Sequence, residues 1–366
     1  MVNLDAADPL SAELRAAVGA ELAGFLDSRG RQLSELGHEV AELVELAVAF
    51  TAGGKRLRPA FCCWGYLAAS GGSEVPAHVV RAAASLDLLH VSALVHDDVM
   101  DGSDTRRGVP AAHVQLAARH ASDLRGDPDA FGRAGAILLG DLLLMWSVEL
   151  FTECGAPADA LAKAQPLLAA VRAEVTGGQF LDITAQTRQP LDARRDPASV
   201  LAQVRRVVEY KTARYTVVRP LQIGAALGGA GPELLAALGT YGSPLGRAFQ
   251  YRDDVLGVFG DEAVTGKPAG DDLREGKLTV LIAKAMSAAP QGDAERLDAL
   301  LGSSLSAQDV ATARSIIAGS GALAATEQEI EDATAEALRA LGEAGIGSPA
   351  VDGLRRLAGL ASQRDA

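Results

Sequence analysis

Residues 76–108 read PAHVVRAAASLDLLHVSALVHDDVMDGSDTRRG, an apolar run that ends in aspartates and is followed at once by two arginines. Proline is favoured in the first turn of a helix, and Pro76 begins this stretch. No further proline and no glycine occurs before Gly102. The stretch therefore predicts a helix over 76–101. It also places negative charge beside a surface that must be buried, which calls for a chemical reason.

The spacing of the aspartates puts two of them on one helix face. At 3.6 residues per turn, Asp97 and Asp101 lie about 40° apart, with Ala93 and His90 on the same stripe. Asp98 is turned about 100° away and supports the pair from the side. A solvated helix end is the plain alternative, but aspartate is a poor helix former and the macrodipole disfavours it at a C-terminus. Paired carboxylates are what Mg²⁺ takes, with waters and substrate phosphates completing its shell.

A second acidic helix repeats this device within FQYRDDVLGVFGDEAVTGKPAGDDLREGK, residues 249–277. Asp253 and Asp254 lie among apolar residues, and Gln250 lies about 60° from Asp253 on the helix. Asp261 follows two turns after Asp254. Two such clusters predict a cavity with acidic walls on opposite sides, within a helical bundle.

Basic residues accompany both acidic clusters. They are Lys55, Arg56 and Arg58 in GGKRLRP (53–59), Arg106 and Arg107, Lys211, Lys267, and Lys277. Each alone could serve solubility. Carboxylates repel phosphate unless a metal bridges them, whereas a phosphate without metal needs lysine or arginine directly. Two kinds of phosphate site indicate two phosphorylated substrates.

The bulk composition narrows the class of protein. The chain has 366 residues, a hydrophobic fraction of 48% and a net charge of −13, which argues against nucleic acid as a partner. We expect no membrane span, since the longest apolar run is interrupted by Asp141, and no N-terminal secretion signal. The three cysteines, two of them adjacent, match neither a disulfide framework nor a zinc site. These features predict a cytoplasmic protein.

Helical periodicity recurs nearly everywhere, and no convincing alternating strand is found. We predict helices over 11–28, 34–51, 59–70, 76–101, 109–120, 132–154, 157–185, 198–229, 232–260 and 277–289, with shorter ones after 293. The breaks between them are short and rich in glycine, proline or aspartate. The predicted fold class is all-α: one large helical bundle forming a single domain over 1–366. Its motifs lie at about 53–280, and the C-terminal helices serve packing.

Taken together, these motifs resemble the trans-isoprenyl diphosphate synthases of the polyprenyl synthetase family. DDVMD followed by RRG is similar to the family's first aspartate-rich motif, and GGKRLRP to its isopentenyl diphosphate loop. GDLLL (140–144), GGQFLD (177–182), YKTA (210–213) and the 250–277 stretch also resemble family signatures, in the family's order. The resemblance implies an isoprenoid synthase fold, an all-α bundle around a deep central cavity, and a homodimer.

The resemblance also implies roles for the residues. Asp97 and Asp101, with Asp98 beside them, and Asp253 with Asp254 would hold about three Mg²⁺ ions per active site. Arg106, Lys211 and Lys267 would bind the allylic diphosphate. Lys55, Arg58, His90 and Arg107 would bind isopentenyl diphosphate. Thr212 and Gln250 would point their oxygens at the developing allylic cation, and Lys277 would assist near the metals.

One position departs from the family pattern: the second motif reads DDVLG, so Gly257 stands where a third aspartate is expected, and Asp261 could partly substitute. Two other classes share part of the pattern. A class I terpene cyclase would have no use for GGKRLRP, and a non-catalytic partner subunit should have lost metal ligands. We find no role for the 119–132 segment.

The length of the product should depend on the residues below Asp97. Ser92 and Ala93 are small, where short-chain members of the family often carry an aromatic residue, and Leu86 lies two further turns down the stripe. This favours a product beyond C15, with geranylgeranyl diphosphate (C20) preferred over farnesyl or longer products.

Overall fold

The computed structural model describes residues 1–120, 125–260 and 270–363. Over these residues the protein is built from helices, which confirms the all-α prediction. Its strands are only two residues long: β1 (Val2–Asn3) pairs antiparallel with β2 (Glu74–Val75), and β3 (Thr105–Arg106) with β4 (Val109–Pro110). The second pair is a hairpin formed by the RRG motif.

The helices in the first part of the described chain follow the predicted order. They are α1 (Ala12–Leu33), α2 (Ala41–Thr51), α3 (Leu57–Ser70), α4 (Ala77–Asp101), α5 (Ala112–Arg119), α6 (Pro128–Thr152), α7 (Ala158–Gln186), α8 (Asp192–Arg195) and α9 (Pro197–Val207). A π-helical segment, Val208–Val218, leads into α10 (Arg219–Leu227).

The remaining described helices begin with the one that carries the second aspartate pair. They are α11 (Pro232–Phe259), α12 (Asp271–Arg274), α13 (Val280–Ala288), α14 (Gln291–Leu300), α15 (Ala307–Gly319), α16 (Ala322–Glu343) and α17 (Ser348–Ser362).

The chain forms two compact units. Unit 1 comprises Met1–Gln165, Pro220–Gly231 and Gly347–Leu354; unit 2 comprises the described residues of Pro166–Arg219, Pro232–Ile346 and Arg355–Ala366. The prediction of a single domain over 1–366 therefore stays a prediction.

The core of unit 1 is organised around α4. This helix is apolar over most of its surface, and it packs against α6, α3 and α1. Trp64 of α3 is fully buried, and its indole nitrogen donates to the Pro9 carbonyl at 3.1 Å, which ties the N-terminal segment to the core. The C-terminal end of α4, with the first aspartates, is thus held by a rigid core.

The core of unit 2 is organised around α11, which packs against the π-helical segment and α16. Its inward residues, among them Ala248, Tyr251 and Val255, join a cluster with the apolar faces of α9, α13 and α15. Arg252 makes a two-pronged contact with Glu327 of α16, at 2.7 and 2.6 Å. Helix α16 thus packs against α11 and holds it in position.

Several predicted helices differ from the observed ones by a few residues at their ends, as α1 does by reaching Leu33, and in two the winding of the backbone also differs. The predicted helix 34–51 begins only at Ala41, because Gly37 has φ of 126° and interrupts two short 3₁₀ turns. The predicted helix 198–229 is continuous but changes to π-helical winding at 208–218. π-helical turns are rare and are concentrated at functional sites.

Two helices, α4 and α6, are long and apolar enough to cross a membrane by length and composition, which the sequence analysis did not expect. In α4, 72% of the most apolar window is buried inside the protein, compared with 44% in α6. Core packing therefore accounts for the apolar character of α4, as in the core helix of a soluble protein.

Candidate active site

The first aspartate pair lies at the C-terminal end of α4, in unit 1. Asp97 and Asp101 are half-buried, whereas Asp98 is buried, with 1% of its surface exposed. Arg106 donates from Nε to Asp98 Oδ1 at 2.8 Å and from Nη2 to the same oxygen. Its Nη2 also lies 3.7 Å from Asp97 Oδ2. Asp98 thus anchors the arginine that follows the motif.

The hairpin of the RRG motif presents Arg107. Arg107 and Gly108 form its two-residue turn and have φ of 55° and 77°. Positive φ at both central residues is the geometry of a type I′ turn, which matches the twist of the flanking strands. The turn brings Arg107 against Gly54, where an added Cβ would lie 3.4 Å from Arg107 Nη1.

His90 lies close to the arginines of the GGKRLRP segment (53–59) and of the RRG hairpin (105–108). Burial lowers the pKa of His90 well below its ordinary value, and the positive charges of Arg58, Arg107 and two further arginines lower it more. The imidazole is therefore neutral at neutral pH. The structure thus places cationic groups from segments 53–59 and 105–108 near this histidine, and their role in binding a phosphate stays a prediction.

One of the arginines in GGKRLRP turns inward. Arg56 is 6% exposed, and its Nη1 forms an ion pair with Asp87 of α4 while Nη2 donates to the Thr51 carbonyl at 2.7 Å. Its φ of 53° follows positive φ at Gly53 and Gly54. Lys55 is left exposed and Arg58 half-buried on either side. The Arg56–Asp87 pair therefore fixes the conformation of the GGKRLRP loop that carries Lys55 and Arg58.

The three residues assigned to product length differ in their surroundings. Ala93 is half-buried, one turn before Asp97, and Leu86 is fully buried. Ser92 is buried and donates to the Gly140 carbonyl of α6 at 2.7 Å. Ser92 thus contributes to the packing of α4 on α6, where Gly140 of the GDLLL motif permits close approach.

Lys211 and Thr212 lie on the π-helical segment of unit 2. Lys211 Nζ donates to Asp182 Oδ2 of α7 at 2.5 Å. Gly178 makes this approach possible, because a Cβ there would lie 2.4 Å from the Lys211 backbone nitrogen. GGQFLD thus supplies both the gap that admits the segment and the carboxylate that holds its lysine.

Arginines on and after this segment lock it to α7. Arg214 Nη1 donates to Glu174 at 2.8 Å, and Arg219 contacts the same carboxylate from Nε, also at 2.8 Å. Burial alone would raise the pKa of Glu174, but the hydrogen bonds from both arginines lower it overall. The ionised carboxylate of Glu174 therefore ties the π-helical segment to α7.

Thr212 is connected to the second aspartate pair through Gln250. Thr212 Oγ1 donates to Gln250 Oε1 at 2.5 Å, and Gln250 Nε2 donates to Asp254 Oδ1 at 2.8 Å. Asp254 is 4% exposed, and Asp253 beside it is half-buried. Burial raises the pKa of Asp254, the hydrogen bond from Gln250 opposes this, and the charge of Asp272 adds to the rise.

The place of the expected third aspartate is taken by another carboxylate. A Cβ on Gly257 would lie 2.1 Å from Asp272 Oδ2, so the carboxylate of α12 fills the space that a side chain at 257 would need. Lys277 forms an ion pair with Glu275. Two predicted residues, Asp261 and Lys267, lie outside the described residues.

The donor chemistry of the first pair fits Mg²⁺. Asp97 and Asp101 offer hard carboxylate oxygens on one face, and Mg²⁺ is commonly held by one or two carboxylates together with water and phosphate. Within residues 1–120, 125–260 and 270–363, no three His, Cys, Asp or Glu side chains form a complete metal-ligand group.

Sequence reasoning missed the carboxylates that hold the basic residues. Asp87 was detectable as an acidic residue in the apolar middle of α4, one turn before His90. Asp182 lies within the GGQFLD signature and Asp272 within a long acidic segment, so neither stands out locally. Their partners are 31 residues away for Asp87 and 29 for Asp182, so no local pattern reveals the pairing.

Comparisons with known proteins agree on one family. Residues 40–343 match the polyprenyl synthetase family. A short chain isoprenyl diphosphate synthase of Methanothermobacter thermautotrophicus is 34% identical over 253 residues, 69% of each chain. A geranylfarnesyl diphosphate synthase of Aeropyrum pernix is 36% identical over 277 residues, 74% of this chain and 78% of that one.

A solved structure shares nearly the whole fold. The crystal structure of a geranylgeranyl pyrophosphate synthase from Corynebacterium glutamicum, in complex with isoprenyl diphosphate and magnesium, superposes with a TM-score of 0.90. It is 39% identical, and the alignment covers 96% of this chain and 99% of that one.

Proposed function

Because the chain belongs to the polyprenyl synthetase family and is a prenyltransferase, we propose that it condenses isopentenyl diphosphate with an allylic diphosphate in a Mg²⁺-dependent reaction. The product is an all-trans prenyl diphosphate, with geranylgeranyl diphosphate (C20) as the preferred assignment. The similarity to geranylgeranyl diphosphate synthases and to a geranylfarnesyl diphosphate synthase supports this range of chain lengths.

The observation that carries the proposal is the chemical contrast within unit 1. Asp97 and Asp101 offer oxygens to a cation, whereas the group around His90 is rich in positive charge, from Arg58 and Arg107 among others. A diphosphate bound through metal and a diphosphate bound by bare cationic side chains require these two surfaces respectively. The reaction has one substrate of each kind.

The side chains divide the work accordingly. Lys55, Arg58, Arg107 and neutral His90 bind isopentenyl diphosphate. Arg106, Lys211 and Lys267 bind the allylic diphosphate. About three Mg²⁺ ions at Asp97, Asp101 and Asp253 would stabilise the negative charge of the leaving diphosphate. Thr212 and Gln250 present oxygens to the allylic carbon as it becomes positive, in a site from which water must be excluded so that it does not trap the cation.

The decisive experiment is a product assay. The purified protein is incubated with Mg²⁺, isopentenyl diphosphate and dimethylallyl, geranyl or farnesyl diphosphate, with and without a chelator, and the dephosphorylated alcohols are separated by chromatography. A C20 alcohol formed only with Mg²⁺ is expected. A cyclic hydrocarbon from the allylic substrate alone would instead indicate a terpene cyclase, and no product under any condition would indicate a non-catalytic subunit.

Product length should respond to the size of residue 93. Ala93 lies one turn, about 5.4 Å, before Asp97 on the same helix face. An aromatic ring at this position reduces the space available to the growing prenyl chain, and it removes no diphosphate ligand. We expect Ala93→Phe to remain active and to shift the main product toward C15. Ala93→Ser, which adds little volume, should keep the wild-type product. An active Ala93→Phe enzyme with an unchanged alcohol profile would show that another element limits chain length.

We also propose that the protein is a homodimer that buries one face of α6. Phe131, Leu138 and Met145 are 46%, 58% and 59% exposed. They recur every seven residues, which is close to two helical turns, so they form one stripe. A second copy of the chain is the natural occupant, because a two-fold interface packs the same helix against itself.

If this stripe forms the dimer interface, acidic substitutions in it should lower the molecular mass of the protein in solution. Leu138→Glu with Met145→Glu should convert the dimer to a monomer in light scattering coupled to size-exclusion chromatography. Leu36→Glu, at an apolar residue that is 71% exposed outside the stripe, should leave the dimer intact. A double variant that stays dimeric would exclude this face.

The cysteines support a cytoplasmic location. Cys62, Cys63 and Cys154 are all buried thiols without a disulfide. Such use of cysteine is typical of a reducing compartment.

A further inference from the structure

We propose that Asp254 is a positioning residue: it fixes the amide of Gln250 so that Gln250 and Thr212 can present only lone pairs to the substrate. This deepens the proposed function and rests on it, because it assigns a task within the same prenyl transfer. It also separates the roles of the two adjacent aspartates of the second motif, leaving the metal to Asp253.

The three side chains form a continuous hydrogen-bonded chain. Thr212 Oγ1 donates to Gln250 Oε1 at 2.5 Å, and Gln250 Nε2 donates to Asp254 Oδ1 at 2.8 Å. Gln250 and Asp254 are one turn apart on α11, whereas Thr212 comes from the π-helical segment. Thr212 is 7% exposed and Asp254 4%, so both bonds lie where water competes weakly.

The carboxyl group of Asp254 sets the direction of both hydrogen bonds. In the structure Asp254 Oδ1 accepts from Gln250 Nε2, so the amide turns its NH₂ group toward Asp254 and its oxygen toward Thr212. The hydroxyl of Thr212 then donates its single hydrogen to the oxygen of Gln250. A flipped amide would set its oxygen against the accepting oxygen of Asp254, which costs a hydrogen bond.

The direction of these hydrogen bonds determines which atoms face the developing allylic cation. With its hydrogen committed, Thr212 Oγ1 can offer only lone pairs to any other group, and the same holds for Gln250 Oε1. Negative ends of fixed dipoles stabilise developing positive charge, especially in a water-poor site. With the amide reversed, Gln250 could turn its NH₂ group, or Thr212 its hydrogen, toward the cation, and the contact would become repulsive.

The same division of labour occurs in the first aspartate motif. Asp98 is buried and accepts from Arg106, while Asp97 stays half-buried. In both motifs the second carboxylate turns inward and holds a neighbouring side chain. Asp254 therefore resembles Asp98, and Asp253 resembles Asp97.

The test compares Asp254→Asn with Asp253→Asn in the full-length protein. Asparagine keeps the size of the side chain but can offer either NH₂ or oxygen, so the amide of Gln250 loses its fixed direction. For Asp254→Asn we expect kcat to fall about 10- to 100-fold, below the usual cost of a lost direct electrostatic contact. The Mg²⁺ concentration at half-maximal rate should stay within about twofold of wild type, whereas Asp253→Asn should raise it.

Binding is measured separately from activity. Titration calorimetry with Mg²⁺ and a thiolo analogue of the allylic diphosphate, which does not ionise, reports whether each variant keeps a folded site. Asp254→Asn should bind the analogue as wild type does. Weakened binding equal to that of Asp253→Asn would assign Asp254 to the metal and overturn the proposal.

A double-mutant cycle tests whether Asp254 acts through Gln250. Gln250→Leu alone should lower kcat by a similar factor, and adding Asp254→Asn to it should change kcat less than about threefold, because residues acting as one unit are not additive. Full additivity, or a normal kcat in Asp254→Asn, would overturn the proposal. Failure of the proposed function is a different result: wild type itself would form no prenyl product.

Discussion

Asp97→Ala is expected to lower the turnover of prenyl transfer by at least ~10²-fold at saturating Mg²⁺, a loss of the size seen when one preorganised electrostatic contact is removed. The half-buried carboxylate shares a helix face with Asp101, so its removal leaves a single oxygen ligand group where two converge. Steady-state rates and the Mg²⁺ dependence of the reaction measure the effect. Asp253→Ala should show a similar loss from the second motif.

The matched control is Asp104→Ala, which removes an exposed carboxylate from the loop after the same motif. It should stay within about twofold of wild type, as surface substitutions usually do. Asp98→Ala should cost less than Asp97→Ala, and its loss should appear as a raised KM for the allylic diphosphate because Arg106 loses its anchor. A normal turnover for Asp97→Ala would remove α4 from the metal site.

The second large effect is expected on stability. Arg56→Ala or Asp87→Ala should each reduce the free energy of unfolding by about 3–5 kcal/mol, because each leaves one buried charge without its partner. The double variant Arg56→Met with Asp87→Leu should lose clearly less than the sum of the two single changes. Denaturant unfolding followed by circular dichroism measures these differences.

The exposed pair of Arg195 and Asp192 provides the control for this prediction. Their charged atoms are 3.7 Å apart, and the side chain of Arg195 is 85% exposed, so Arg195→Ala should cost less than about 1 kcal/mol. Arg56→Ala should also raise the KM for isopentenyl diphosphate, since Lys55 and Arg58 flank it. A variant lacking Arg56 with unchanged stability would show that the loop does not depend on the buried pair.

The helices with clear local terminators were predictable almost to the residue. The helix predicted over 76–101 is observed at Ala77–Asp101, and the one over 232–260 at Pro232–Phe259. Proline at the start and glycine near the end encode these limits in neighbouring residues. The helix predicted from residue 34 was wrong at its start, because the positive φ of Gly37 gives no periodic signal.

The π-helical winding at 208–218 could not be read from the sequence. YKTA was recognised as a signature, but its winding accompanies two contacts distant in sequence: the gap at Gly178 and the ion pair between Arg214 and Glu174, 40 residues away. The residues themselves suit an ordinary helix.

The sequence by itself determined the all-α class, the order of the helices, and the shared face of Asp97 and Asp101, because periodicity and helix limits depend on residues within a few positions of one another. Only the tertiary structure decided which charged side chains turn inward. Arg56, Asp98 and Asp254 look like their exposed or half-buried neighbours Lys55, Asp97 and Asp253 in the sequence, yet each is buried against a specific partner. The physical reason is that the cost of burying a charge is offset only where packing delivers a matching group, and that group can lie 31 residues away, as Asp87 does from Arg56.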